Sequence, residues 1–204
     1  MLLKFKEFLF RHCHGDPVIV VSGLPRSGTS MAMRMLEAGG IPLLTDSLRV
    51  PDKDNPKGYF EIEKAKYLGV RNEKSWLKKA RGKAVKIVSH LLHELPDNNT
   101  YQVLFMNRDL IEVIYSQNKM LVRRGEFVRG NDETVKTLFE KHLSSLEQWF
   151  KQKPNFSVLN MDYAEVIANP QRESLKIESF LYPSIDPEAM ASVVDPTLYR
   201  NRVI

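Results

Sequence analysis

Short apolar runs alternate with longer stretches of helical periodicity along the chain. The apolar runs predict buried β-strands at residues 18–21, 83–88, 101–106 and 156–161. The stretches between them have apolar residues at i, i+3 and i+4, which is typical of amphipathic helices. The longest helix is predicted to begin at Asp132 and end before Pro154, with its apolar stripe in the core. This alternation indicates one α/β domain over residues 1–204, with three layers (α/β/α) around a parallel sheet of about four to five strands.

Four further segments complete the predicted organisation. Residues 1–15 carry apolar and charged side chains on opposite faces, which predicts a short amphipathic helix packed on the domain, with membrane-surface contact as the alternative. Residues 41–60 are rich in Pro, Asp, Asn and Lys and predict a long loop, which we interpret as an acceptor-binding or lid segment. A helix is expected from Glu61 to about Leu77, and residues 183–204 form the C-terminal tail.

The first predicted strand runs directly into the segment GLPRSGTS at residues 23–30. Its glycines permit sharp turns, and the helix that follows would direct several N–H groups at an anion. The segment fits the phosphate-loop pattern G-x-x-x-x-G-K-[ST], except that Thr29 stands where lysine is expected. Nucleotide kinases use that lysine together with magnesium. A sulfuryl group carries less charge, so Arg26 and the N–H groups can serve its transfer without a metal.

The run Pro25-Arg26-Ser27-Gly28-Thr29-Ser30 resembles the 5′-phosphosulfate loop of sulfotransferases that use 3′-phosphoadenosine 5′-phosphosulfate (PAPS). Three further segments resemble that family in the same order: SHLL at 89–92, FMNRDLIEVIYSQ at 105–117 and MDYAEVIANPQRESLKIESFLYP at 161–183. The resemblance implies a phosphate-loop α/β fold, PAPS as the sulfuryl donor and no required metal. The acceptor, a small molecule or a glycan, is expected to offer a hydroxyl, with an amine as the second choice.

The resemblance also implies roles for individual residues. It assigns the 5′-phosphosulfate to the loop residues Pro25, Arg26, Ser27, Gly28, Thr29 and Ser30, with Arg26 also catalytic. Arg108 and Ser116, eight residues apart as in the family, are expected to hold the 3′-phosphate. His90 matches the histidine base of cytosolic sulfotransferases, and Glu61 is the alternative base. The family's C-terminal Arg-Lys-Gly loop is absent, which leaves Arg200 and Arg202 as candidates to replace it.

Composition narrows the choice of partners. A net charge of +5 and a pI near 9.2 suit a multiply anionic small molecule but are too mild to indicate nucleic acid. Cys13 is the only cysteine, which excludes an internal disulfide and is compatible with a cytoplasmic location. The charged residues near the N-terminus argue against stable membrane insertion. The basic segment VRRGEFVRG at residues 122–130 is interpreted as a solvated turn, with contact to an acidic acceptor as the alternative.

Two other classes of protein stay open at this point. A nucleotide-dependent kinase or hydrolase would need a magnesium-binding aspartate, for which Asp109 is the nearest candidate after the third strand. A non-catalytic nucleotide-binding protein would keep the fold and bind the desulfated nucleotide without transferring anything. If the sulfotransferase interpretation holds, Arg26→Ala should mainly reduce turnover, whereas Arg108→Ala should mainly weaken nucleotide binding.

Overall fold

One parallel sheet lies at the centre of the computed structural model, which describes residues 15–46, 48, 51–52, 55–70, 74–127, 130–181 and 185–199. Its strands are β1 (Val18–Gly23), β2 (Ala84–Lys86), β3 (Tyr101–Asn107) and β4 (Phe156–Asp162). They are hydrogen-bonded in the order β2-β1-β3-β4, and every pair is parallel. This sheet and its flanking helices confirm the predicted α/β architecture.

Helices cover both faces of the sheet. The α-helices are α1 (Thr29–Ala38), α2 (Glu63–Lys66), α3 (Leu110–Arg123), α4 (Asp132–Lys151), α5 (Tyr163–Ala168), α6 (Pro170–Leu181) and α7 (Pro187–Ser192). Short 3₁₀ helices occupy Ser75–Ala80, Ser89–Glu94 and Pro196–Leu198. None of the helices in the described ranges is long and apolar enough to cross a lipid bilayer.

Strand β1 is buried on both faces because its side chains alternate between two hydrophobic clusters. Ile19 and Val21 pack in one cluster with apolar residues of α1, α6 and α7. Val18 and Val20 pack in the other, which includes Leu146 of α4. The continuous apolar run of β1 therefore places this strand in the interior of the sheet. Its burial there fixes the position of its carboxyl end.

The connections after β1 and β3 lead to opposite faces of the sheet. Strand β1 is followed by α1, which packs in the first cluster, whereas β3 leads through α3 to α4, which packs in the second. Neighbouring parallel strands that diverge in this way leave a crevice at their carboxyl ends, where such sheets bind ligands. The phosphate loop lies in that crevice because it directly follows β1.

Two predicted elements differ from the structure, and a third lies almost wholly outside the described residues. The helix predicted from Glu61 to Leu77 is wrong: α2 is only four residues long, and Trp76 lies in a separate 3₁₀ helix. A turn containing Gly69 follows α2, because glycine is a poor helix former. The stripe of α4 belongs to the core only in part, since Leu146 is buried but Leu138 is 59% exposed. The helix predicted for residues 1–15 falls outside the described residues, apart from Gly15.

Candidate functional site

The phosphate loop owes its shape to two glycines with positive φ angles. Gly23 has φ 149°, and a Cβ there would lie 2.6 Å from the carbonyl oxygen of Met106 in β3. Gly28 has φ 102°, and a Cβ there would lie 2.4 Å from the ring of Tyr163. Both positions therefore require glycine, because a side chain would meet an atom that cannot easily move.

The N-terminus of α1 differs chemically from most other helix starts in the protein. Asp or Asn side chains cap α3, α4, α5 and α7, but α1 begins at Gly28, which offers no side-chain acceptor. The first N–H groups of a helix have no intrahelical partner, so those of α1 are directed into the crevice without a protein side-chain cap. The buried hydroxyl of Ser27 also lacks a hydrogen-bond partner among the described residues. These groups together line the loop with hydrogen-bond donors.

The structure brings Arg26, Arg108 and Ser116 together, although they come from two distant parts of the sequence. Arg26 has a positive φ of 74°, which is unusual for a residue with a side chain. Its Nε donates to the hydroxyl of Ser116, at 3.0 Å. Its carbonyl oxygen accepts from Nη1 of Arg108, at 3.1 Å. The predicted 5′ and 3′ parts of the donor site are thus directly joined.

Arg108 is held by an anion and two aromatic rings. Its Nε donates to Oε2 of Glu112 at 2.9 Å, and the two side chains are only 8% and 4% exposed. The guanidinium carbon lies 4.5 Å from the ring centre of Tyr163 and 5.3 Å from that of Tyr199. Tyr199 donates its hydroxyl to Oε1 of Glu112 at 2.9 Å. Burial, followed by this hydrogen bond, raises the pKa of Tyr199 to about 12.

Lys86, at the end of β2, is a cation that the sequence analysis did not single out. Its side chain is 7% exposed, and its Nζ lies 3.3 Å from the hydroxyl of Ser30 and 3.4 Å from Oε1 of Glu61. Ser30 also accepts from Asn55 Nδ2, at 2.7 Å. A lysine inside an otherwise apolar strand is the signal that could have found it, because a buried ammonium needs partners. Lys86 brings to the loop the positive charge that Thr29 lacks.

The segment before α2 closes one side of the crevice. Tyr59 is buried, and its hydroxyl lies 2.7 Å from a carboxylate oxygen of Asp52. Asp52 in turn lies 4.0 Å from Nη2 of Arg124, at the end of α3. The described part of the predicted acceptor loop is therefore linked to both the phosphate loop, through Asn55, and the far wall of the crevice.

The two candidate bases lie in different places. Glu61 lines the crevice, beside Lys86. His90 is exposed on the 3₁₀ helix Ser89–Glu94 and is not among the residues that line the crevice. The hydroxyl of Ser89, the first residue of that helix, lies 2.9 Å from Nε2 of His142 on α4. Burial lowers the pKa of His142, and the nearby His90 and His93 lower it further.

The crevice as a whole has a volume of about 290 Å³ and is strongly cationic. Its acidic lining residues within the described ranges are Glu61 and Asp195. Its basic lining residues there are Arg26, Arg34, Lys57, Lys86, Arg108, Lys119, Arg123 and Arg124. Pro25, Gly28, Thr29 and Ser30 also line it. Burial lowers the pKa of Arg34, partly offset by Asp195. Arg200 and Arg202 lie outside the described residues.

The acidic side chains near the phosphate loop form hydrogen bonds or ion pairs within the protein. Asp109, the candidate magnesium aspartate, accepts from the backbone N–H groups of Ile111 and Glu112 and so caps α3. Among the described residues, no three His, Cys, Asp or Glu side chains are grouped as metal ligands. The hydroxyl of Ser30 lies 3.3 Å from the ammonium of Lys86, which in turn contacts the carboxylate of Glu61.

Fold and loop together define a phosphate-loop α/β protein, and comparison with known proteins identifies its family. The chain matches the family described as sulfotransferase domain over residues 16–201. Because this match covers most of the chain, the protein belongs to the sulfotransferase domain family. No curated protein matches it.

The solved structures that match the chain include two sulfotransferases. The sulfotransferase domain from the curacin biosynthetic pathway is 17% identical over 92% of each chain, with a TM-score of 0.55. A sulfotransferase from Alicyclobacillus acidocaldarius is 15% identical over 84% of each chain, with a TM-score of 0.46. A sugar kinase from Janibacter sp. is 13% identical over 90% of this chain and 98% of its own, with a TM-score of 0.42. At these identities the likeness to the curacin domain concerns the fold.

Proposed function

We propose that the protein transfers the sulfuryl group of PAPS to a hydroxyl of an acceptor, with an amine as the second choice. The observation that carries this proposal is the contact between Lys86 and Ser30. In metal-dependent phosphate-loop enzymes, the hydroxyl at the position of Ser30 helps to hold magnesium. In this protein the ammonium of Lys86 lies beside that hydroxyl. This is expected for transfer of a sulfuryl group, which carries less charge than a phosphoryl group and is stabilised by side chains and N–H groups.

The residues of the crevice fit PAPS on several grounds. The start of α1, which has no side-chain cap, and the hydroxyl of Ser27, which has no partner in the described part of the chain, suit an anionic 5′-phosphosulfate. We assign that group to residues 25–30, and the 3′-phosphate to Arg108 and Ser116. Glu112 orients the guanidinium of Arg108. A guanidinium held in this way can bind a phosphate in one fixed orientation. When bound, PAPS supplies the sulfuryl group together with a phosphate leaving group.

We assign the role of general base to Glu61 rather than to His90. Glu61 lines the crevice beside the loop, whereas His90 lies outside the lining, and a base must be within reach of the proton that it removes. In this mechanism the carboxylate of Glu61 accepts the proton of the acceptor hydroxyl. Lys86, which touches both Glu61 and Ser30, orients the carboxylate and places positive charge beside the reacting groups.

The proposal is tested with ³⁵S-labelled PAPS in EDTA, using acceptors in matched neutral and anionic pairs such as glucose with glucose 6-phosphate and 2-naphthol with 6-hydroxy-2-naphthoate. Glu61→Gln should lower kcat by about 100-fold or more, the usual contribution of a general base, while 3′-phosphoadenosine 5′-phosphate (PAP) binds as in the wild type. His90→Ala is the matched control and should keep most of the activity. Transfer to no acceptor, or full activity in Glu61→Gln, would contradict the proposal.

A further inference from the structure

The crevice carries more positive charge than the proposed donor site uses. Arg26, Lys86 and Arg108 surround the phosphate loop, but Lys119, Arg123 and Arg124 also line the crevice, at the C-terminal end of α3. This second group is named the α3 cluster below. The stretch at residues 122–130 was interpreted as a solvated turn, yet Arg123 and Arg124 line the crevice.

The α3 cluster continues the line of polar contacts that begins at Ser116. Residues three and seven positions after Ser116 lie on the same helical face, so Lys119 and Arg123 face the crevice together with it. Lys119 Nζ lies 4.3 Å from the ring centre of Tyr115, one turn earlier on α3. A ligand that extends away from the phosphate loop along α3 would therefore meet positive charge over about two further helical turns.

A chain of contacts shows on which side of the site the α3 cluster lies. It runs from the proposed base Glu61 to Lys86, whose Nζ donates to the carbonyl oxygen of Tyr59. The hydroxyl of Tyr59 reaches Asp52, and Asp52 reaches Arg124. The α3 cluster thus adjoins the wall that carries the base.

The described part of the C-terminal segment contacts the residues proposed to hold the donor. Tyr199 packs over Arg108 and bonds to Glu112, at the N-terminal end of α3, whereas the α3 cluster lies at the C-terminal end of that helix. Tyr199 and the α3 cluster therefore lie at opposite ends of α3. This separation, together with the contacts that lead from Arg124 to Glu61, favours the acceptor side of the site for the α3 cluster.

We propose that the acceptor is itself an anion, and that Lys119, Arg123 and Arg124 bind its phosphate, sulfate or carboxylate group while its hydroxyl lies at Glu61. This inference rests on the proposed function and specifies its acceptor class. Asp52 holds Arg124 in place of that anion, at a distance of 4.0 Å and with both side chains partly exposed. The acceptor's charged group would compete with Asp52 for the guanidinium, and a phosphate would do so most strongly because it carries more negative charge than a carboxylate.

Calorimetry separates this inference from the proposed function. Protein is first titrated with PAP, and the PAP-saturated protein is then titrated with inorganic pyrophosphate as the probe for a second anion site. The test variant is Arg123→Gln/Arg124→Gln. The matched control is Lys78→Gln/Lys79→Gln, which removes two exposed lysines that do not line the crevice.

The inference predicts that pyrophosphate binds to the PAP complex of the wild type and of the lysine control. In the arginine variant its affinity should be at least about tenfold lower, while PAP affinity stays within about twofold. In the transfer assay, the anionic member of each acceptor pair should have at least about tenfold higher kcat/KM. Arg123→Gln alone should show the same direction of change and serves if the double variant does not fold.

Other results would overturn the inference. Absence of pyrophosphate binding, equal binding by the arginine variant, or parallel loss of PAP and pyrophosphate binding would show that the α3 cluster does not bind an acceptor anion. Equal kcat/KM values for the neutral and anionic members of each acceptor pair would likewise overturn the inference. If PAP itself fails to bind the wild type, the proposed function falls and this inference with it.

Discussion

Replacing Glu112 by Gln should destabilise the protein by a predictable amount. The carboxylate is 4% exposed and is the anion that neutralises Arg108, whose side chain is 8% exposed. Breaking a buried pair by removing one charge costs about 3–5 kcal/mol. Gln can still accept the hydrogen bond of either Arg108 or Tyr199, so we expect the lower end, about 3 kcal/mol. In a domain of this size that corresponds to a Tm lower by about 6–12 °C.

The same variant also tests the role of Arg108 in nucleotide binding. In Glu112→Gln the guanidinium lacks its anion, and a bound 3′-phosphate would supply one. Saturating PAP should therefore raise the Tm of Glu112→Gln by more than it raises that of the wild type. AMP, which has no 3′-phosphate, should raise the two values equally.

The measurement is thermal unfolding followed by circular dichroism, with and without each nucleotide. Glu147→Gln is the control, because Glu147 forms an exposed pair with Lys151 on α4 and its loss should leave Tm nearly unchanged. A wild-type Tm for Glu112→Gln would refute the energetic argument. Equal stabilisation of both proteins by PAP would refute the assignment of Arg108 to the 3′-phosphate.

Three further predictions follow from single residues of the site and its surroundings. Lys86→Met should lower kcat by about 100-fold, the usual cost of losing one transition-state donor, and an unchanged kcat would exclude the role given to this lysine. Gly28→Ala should lower the free energy of unfolding by about 1–3 kcal/mol and abolish PAP binding, because φ is 102° and the methyl group would overlap Tyr163. Because the pKa of His142 is lowered from 6.5 on folding, the unfolded chain binds more protons below that pH. Wild-type stability should therefore fall as pH drops below about 6.5, and His142→Gln should weaken this dependence in urea unfolding at pH 5–8, whereas an identical dependence would show that another group is responsible.

The phosphate loop could be predicted from the sequence because the residues that form it are adjacent in the chain. Strand β1, the glycine-bounded loop and α1 are contiguous, so their hydrophobic pattern and glycine spacing were enough to predict a phosphate-binding loop. The start of α3 was likewise predictable, because Asp109 caps the helix that it precedes. The order of the strands in the sheet, by contrast, was not predicted.

Contacts between distant residues account for what the sequence did not reveal. Tyr199 reaches Glu112 across 87 positions, and Arg26 reaches Ser116 across 90. Neither contact has a local signature. The sequence also left open whether Arg123 and Arg124 face solvent or a ligand site, since a basic turn has the same composition in both cases. The extent of the helix after Glu61 was overestimated because apolar spacing continues through segments that are not one helix.

Nucleotide selectivity tests the central claim most directly. The wild-type protein in EDTA is titrated calorimetrically with PAP, AMP and ATP in parallel, and ATP is repeated with magnesium. A donor site for PAPS predicts that PAP binds at least about tenfold more tightly than AMP, without magnesium, because the 3′-phosphate adds a charge-assisted contact to Arg108. Preference for ATP with magnesium would instead indicate a phosphoryl-transfer enzyme, and no binding of any nucleotide would contradict the account.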